Sequence, residues 1–211
     1  MPRVRLTHFL VSVHDEIWAQ VPAERHLNRV TRDWALESVA GLQDPRVLDV
    51  GCGDGLLTGE LAQAGVRVTG VDPSAVALER ARVAHPGIAF AQTTEDGRLP
   101  FDDAAFDAAV CLNVLEHVAD TQLLLSEVRR VLAPGGVFAV AVPFHGRFEN
   151  VLVALGSFER HYDPLQPVLR FYTRKSLRLV LGSLGFEVLE QRARGGAPLV
   201  RESLLARAVR S

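Results

Sequence analysis

Three glycines at alternate positions, Gly51, Gly53 and Gly55, close the apolar run Val47-Leu48-Asp49-Val50 and narrow the folds open to this chain. Leu56, Leu57, Leu61 and Ala62 follow at helical spacing. The pattern is a buried strand, a tight turn and the first turn of a helix. Glycine in such a bend reaches positive φ and lets a ligand lie against bare backbone. The helix start behind it offers unpaired N–H groups. An ordinary strand-to-helix turn also uses glycine, but three exceed what a turn needs.

The spacing bears on the ligand. A dinucleotide fingerprint requires glycine where Leu56 stands, and Gly55 comes one residue early for it. Asp49 would repel a pyrophosphate, whereas a carboxylate just before the turn suits a ligand with cationic groups. A P-loop is excluded, because its glycine–lysine run is absent and the chain's one lysine is Lys175. The pattern acidic–apolar–Gly-x-Gly-x-Gly resembles the first motif of the class I S-adenosylmethionine (SAM)-dependent methyltransferases. SAM carries a sulfonium, an ammonium, a carboxylate, a ribose and an adenine, which fits an acid beside a glycine turn. The resemblance makes SAM the expected cofactor and S-adenosylhomocysteine (SAH) its product. A nicotinamide oxidoreductase is the competing enzyme class, and the glycine spacing opposes it.

The chain has 211 residues and a net charge of −2, enough for one domain with a sizeable core. Arginine and acid are interspersed without a basic stripe, so no nucleic-acid partner is expected. No apolar run approaches the length of a transmembrane helix. His14, Asp15 and Glu16 interrupt the apolar start too early for a signal peptide. Cys52 and Cys111 form no C-x-x-C, so a reduced, cytoplasmic chain is expected.

Along the chain, Leu27, Val30, Trp34 and Val39 mark an amphipathic helix within residues 1–44. It either packs on the sheet edge or, as the resemblance implies, caps the active site. Strands are expected at 46–50, 66–71, 88–92, 106–112, 137–142, 186–191 and 203–209. Helices are expected from Gly55 to near Gly65, at 74–84, 120–132 and 176–184, and Ala133-Pro134-Gly135-Gly136 reads as a hard turn. Alternation of strand and helix argues an α/β, doubly wound, mostly parallel sheet. The resemblance implies a seven-stranded Rossmann-like sheet in the order 3-2-1-4-5-7-6, with the last strand antiparallel and helices on both faces. Residues 45–211 then form the methyltransferase domain. Aromatic and basic residues cluster between Pro143 and Phe171, and a connection that long is read as a lid over about 144–170.

Asp72, at the end of the second strand, can accept from both hydroxyls of a ribose or cap the following helix, a role open to Ser74 as well. The resemblance implies cofactor contacts at Asp49, Gly51, Cys52, Gly53, Asp72, Pro73, Glu95, Asp96, Asn113 and His117. Within that set Glu95 and the Asp96 N–H would serve the adenine, and the segment after strand four would pass under the methionine end. The loop holding Glu95 also reads as a solvated charge run. Where the nucleophile needs deprotonation, His117, His145 and His161 are the candidate bases, each equally readable as a structural histidine.

Motifs of amino-directed, cytosine-C5 and protein-arginine methyltransferases are absent. Leu115-Glu116-His117-Val118 and Arg170-Phe171-Tyr172-Thr173 are similar to segments of the ubiquinone-biosynthesis O-methyltransferases. Some of those enzymes bind a divalent metal through two glutamates and a histidine. Asn113 stands at the first of those positions here, so no metal is expected. The expected function is methyl transfer to a small-molecule acceptor, with oxygen favoured over nitrogen as the nucleophile. A SAM-binding protein without turnover is the non-enzymatic alternative. The expected state is a monomer or homodimer.

Overall fold

The computed structural model of the chain describes residues 15–16, 18–19, 28–94, 96–144, 146–156, 168–196 and 202–211. Its strands are β1 (Arg46–Val50), β2 (Arg67–Asp72), β3 (Ala89–Gln92), β4 (Phe106–Leu112), β5 (Leu132–Pro143), β6 (Phe186–Arg194) and β7 (Ser203–Arg210). Its helices are α1 (Arg29–Val39), α2 (Leu56–Gln63), α3 (Ala75–Ala84), α4 (Thr121–Val131), α5 (Arg147–Gly156) and α6 (Arg174–Ser183). The strands form one sheet in the order β3-β2-β1-β4-β5-β7-β6. β7 runs antiparallel to β5 and β6, and the other neighbours are parallel. The mostly parallel α/β sheet expected from the strand–helix alternation, in the Rossmann-like order that the resemblance implied, is the one present.

Strand pleating sorts the core into two layers. Leu48, Val50, Phe138, Val140 and Leu204 face one side, where Leu125, Val128 and Val131 of α4 and Leu177 and Leu181 of α6 cover them. Val47, Ala108, Ala139, Ala141 and Leu205 face the other, under Trp34, Ala35 and Val39 of α1 and Leu57 and Leu61 of α2. The small alanines on this second side let α1 lie close across β4, β5 and β7. Its place is therefore on the sheet face and not at an edge. Leu27 lies outside the described residues.

Capping sets most helix starts. Asn28 accepts from the Val30 N–H, Asp120 from Leu123, and Thr173 and Ser176 form a reciprocal capping box. α2 departs from this: Gly55 precedes it in a left-handed conformation and no side chain caps it. Its first N–H groups are left facing the carboxyl ends of the strands.

β5 begins at Leu132 and not at Val137. The ladder pairs Leu132 with Phe106 and then Val137 with Ala108, so Ala133-Pro134-Gly135-Gly136 form an irregularity inside the strand, where a turn was expected. Proline and a positive-φ Gly135 interrupt the ladder without ending it. Arg130 ties this corner by donating to the carbonyls of Leu99 and Phe101 and to the carboxylates of Glu127 and Asp103. The stretch 144–170, expected from the sequence to be a lid, contains α5, which the sequence reading did not include, and its residues 145 and 157–167 lie outside the described residues.

Candidate functional site

The carboxyl ends of β1, β2 and β4 meet where the strand order reverses, the usual place for a ligand crevice in such sheets. The glycine turn forms its floor. Gly51 and Cys52 both donate their N–H to the carbonyl of Val71, at 2.8 and 3.1 Å, which pins the turn to the end of β2. Gly51 has φ +74, and a Cβ there would lie 2.3 Å from Cγ2 of Val114, so the loop after β4 is seated on bare backbone. Gly51→Ala is expected to lower stability by roughly 2–4 kcal/mol, from left-handed strain plus overpacking. Urea denaturation checks this, with Gly41→Ala, which meets nothing within 4 Å, as control. A smaller loss in a Val114→Ala background is expected, because the clash partner is then trimmed.

Two acids line the turn, both buried. Asp49 Oδ2 accepts from the Thr58 hydroxyl at 2.7 Å, one turn into α2. Burial pushes the Asp49 carboxyl up to about 7 against the lowering effect of the Thr58 hydrogen bond, with the nearby Asp72 charge adding to the rise. Asp72 Oδ2 accepts from the Gly53 N–H and Oδ1 from the Ser74 N–H, each at 2.9 Å. Ser74 caps α3 through its own hydroxyl, which accepts from Ala77. Asp72 is thus held by backbone donors with its carboxylate at the strand end. Asp54 is buried beside them. Burial, with the negative field of these acids added to it, pushes the Cys52 thiol well up, so it stays a neutral wall of the turn.

The other expected contacts divide. Pro73 is half-buried, and its carbonyl accepts from Gln92 Nε2 at 2.8 Å. Asn113 is exposed at the end of β4 with φ +56, a conformation uncommon outside glycine, and its N–H donates to Ala141. His117 lies on the same loop, one-third exposed, with Nε2 3.9 Å from Glu116 Oε1. The Asp96 side chain turns back on its own loop, accepting from the Thr94 hydroxyl and pairing with Arg98 at 3.1 Å. Glu95, His145 and His161 lie outside the described residues. Among the described residues no group of three or more histidines, cysteines or acids is placed to hold a metal ion.

Glu116 was not singled out as a site residue from the sequence. Its side chain is buried, and among the described residues Oε2 has no hydrogen-bond partner. Its carbonyl accepts from the N–H groups of Leu169 and Arg170, and the Arg170 guanidinium donates to the carbonyls of Val118 and Ala119. These bonds strap residues 169–170 to the loop carrying His117. Thr58 also escaped notice, since no spacing rule links a helix hydroxyl to a strand acid.

Residues 48–140 match the family model described as a methyltransferase domain. A ubiquinone biosynthesis O-methyltransferase of Alkalilimnicola ehrlichii is 38% identical over 114 residues, which is 52% of this chain and 46% of that relative. The chain spans about half the length of the curated relatives it matches. Among solved structures, magnesium protoporphyrin IX methyltransferase from Synechocystis PCC 6803, with bound SAH, superposes with TM-score 0.69 at 22% identity, covering 98% of each chain. The cyclase SpnF superposes with TM-score 0.70 at 19% identity, covering 99% of this chain and 96% of its own. These likenesses concern the fold. The glycine turn, the acids at the ends of β1 and β2, and the matched segment agree: over residues 48–140 this chain carries a methyltransferase domain.

Proposed function

We propose that the chain is a SAM-dependent methyltransferase that modifies an oxygen nucleophile on a small-molecule acceptor, in a reduced, cytoplasmic setting. The observation that carries the reading is the pair of buried acids, Asp49 and Asp72, at the ends of adjacent strands beside a bare glycine turn. Burial makes a carboxylate costly to ionise. A ligand with an ammonium, a sulfonium and a diol gives each acid a reason to be there. The uncapped start of α2 suits the ligand's carboxylate. The O-directed part follows the names of the curated relatives. No helix among the described residues is long and apolar enough to cross a membrane.

When bound, SAM supplies a methyl group already activated on a sulfonium. The protein's work is alignment, for which prior orientation is worth roughly 7–11 kcal/mol. Asp72 holds the ribose, Asp49 faces the cationic end, and Asn113 and the Gly51 backbone fix the methionine side. Asp96 and Glu95 border the adenine. His117, on the loop under the acceptor, takes the proton of a hydroxyl nucleophile, with His145 and His161 as the other candidate bases. Residues 144–170 close over the acceptor, drawn in by the Arg170 strap.

The test is calorimetric titration with SAH and SAM, followed by a methyl-transfer screen over phenols, other hydroxyl compounds and amines. Binding with transfer to a hydroxyl is the expected result. Transfer to amines only would move the acceptor to nitrogen. Binding without any transfer would leave a SAM-binding protein, a reading given weight by a cyclase having this same sheet. Failure to bind either compound would end the proposal.

A further inference from the structure

The crossover from β3 to β4, residues 93–105, carries no helix among its described residues, although crossovers between parallel strands usually do. The sheet face that such a helix would cover is left open at the amino ends of the strands, opposite the crevice. There Thr69 is half-buried and its register neighbour Ala89 is exposed. A cavity of about 420 Å³ lies at this end, within the size range of small-molecule sites. Arg46, Arg67, Ala89 and Phe106, the first residues of β1, β2, β3 and β4, all line it. Val66, Val68, Ile88 and Ala105 add apolar walls.

Two cations share this cavity. Arg46 and Arg67 pair in register, so both side chains lie on one face as near neighbours, an arrangement in which like charges repel. Each also has an acid. Arg46 donates to Asp107 through Nε and Nη2 at 3.1 and 2.9 Å, and Arg67 Nε lies 2.8 Å from Asp44 Oδ1. Arg46 is the main cause that holds the Asp107 carboxyl at about 2, and the charge of Arg67 adds to it, so the two guanidinium groups act on one locality. Both ion pairs are solvent-exposed, and exposed pairs hold little energy, so a ligand can engage the same arginines without disturbing the sheet. Nη1 of each arginine has no acceptor among the described residues. A guanidinium offers five N–H bonds in a fixed fork that matches carboxylate and phosphate oxygens.

We infer that this cavity is a second binding site, for a small molecule that joins an oxyanion, carboxylate or phosphate, to a short apolar body. The oxyanion bridges Arg46 and Arg67 and relieves their repulsion, while the body lies against Val66, Ile88 and Ala105. The site is at the opposite end of the strands from the crevice and stands whether or not SAM binds there.

Amide shift titrations of the nitrogen-15-labelled full chain with phenyl phosphate, benzoate, inorganic phosphate and benzyl alcohol test this. Phenyl phosphate or benzoate is expected to bind with a Kd of about 1 mM or below, the range open to ligands of about ten heavy atoms. The tighter of the two tells phosphate from carboxylate. Shifts should centre on Arg67, Gly87, Ile88 and Ala105. Inorganic phosphate, which lacks the body, and benzyl alcohol, which lacks the charge, should each bind about tenfold more weakly or worse. Arg67→Gln is expected to weaken the tighter probe about tenfold, from one lost charged hydrogen bond. Ile88→Glu leaves both arginine pairs in place and should weaken it as much, by setting a negative charge in the cavity. SAH affinity should be unchanged in both variants. Inorganic phosphate binding as tightly as phenyl phosphate would mean an adventitious ion only, and benzyl alcohol binding as tightly would remove the arginines from the site. Either result overturns the proposal, as do shifts centred on Gly51–Gly55, unchanged affinity in both variants, or no binding of any probe. A wild type that does not bind SAH overturns the cofactor reading alone and leaves this site to its own titration.

Discussion

Replacing Asp72 with alanine is expected to weaken SAH binding roughly 10–100-fold, from the loss of one or two charged hydrogen bonds to a ribose. The same change leaves the Gly53 and Ser74 N–H groups without the acceptor each now has at 2.9 Å. Stability should therefore fall too, by roughly 2–4 kcal/mol for two buried donors. The two effects separate experimentally. Affinity is measured by calorimetry where the variant is fully folded, and stability by urea denaturation without ligand. Affinity within about twofold of wild type would remove the ribose role and leave Asp72 as a brace for the turn, given that one tenfold step is 1.4 kcal/mol. Asp72→Asn refines the result: its oxygen keeps one donor satisfied while its amide faces the other, so it should lose less stability than alanine but nearly as much affinity.

The surroundings of Asp72 mark where the sequence could be read and where it could not. The glycine turn, the strand periods and the two acids were legible because each follows from local pattern: φ above zero wants glycine, a period of 2 wants a strand, and an acid at a strand end has a geometric consequence. Strand order came through the family resemblance, since no local rule sets it. β5 was misread because Pro134-Gly135-Gly136 is turn chemistry, yet the ladder resumes beyond it and the four residues are accommodated as an irregularity within the strand. Contacts distant in sequence were not legible at all. Asp15 on Ser74, Trp18 on Gly53 and Thr58 on Asp49 carry no spacing signal, and Glu116 became notable only once its burial and unpartnered oxygen were visible.

Stability is expected to fall as pH rises from about 4 to about 7, a window set by Asp49 and Glu116, whose carboxyl groups are both pushed up to about 7 by burial. In the unfolded chain these groups ionise near pH 4. Between the two values the native state holds protons that the unfolded state has released. Each pH unit then lowers stability by about 1.4 kcal/mol per group, and the loss levels off above the native value. Each acid contributes on the order of 3–4 kcal/mol of this alkaline penalty. Asp107, held near 2 by Arg46, acts in the opposite sense, since its stabilisation is lost only as pH falls through the acid range. Asp49→Asn and Glu116→Gln should accordingly raise stability at about pH 8 and change it little at about pH 4, as read by urea midpoints at the two pH values. For Asp49→Asn, SAM binding should weaken in the same protein, because the neutral amide has lost its attraction for the cationic end of the ligand. A gain in stability joined to a loss in binding is the mark of a group kept for a ligand and not for the fold. If Asp49→Asn instead destabilises the chain at both pH values, the hydrogen bond from Thr58 is what the carboxylate is for, and its place in the crevice is structural.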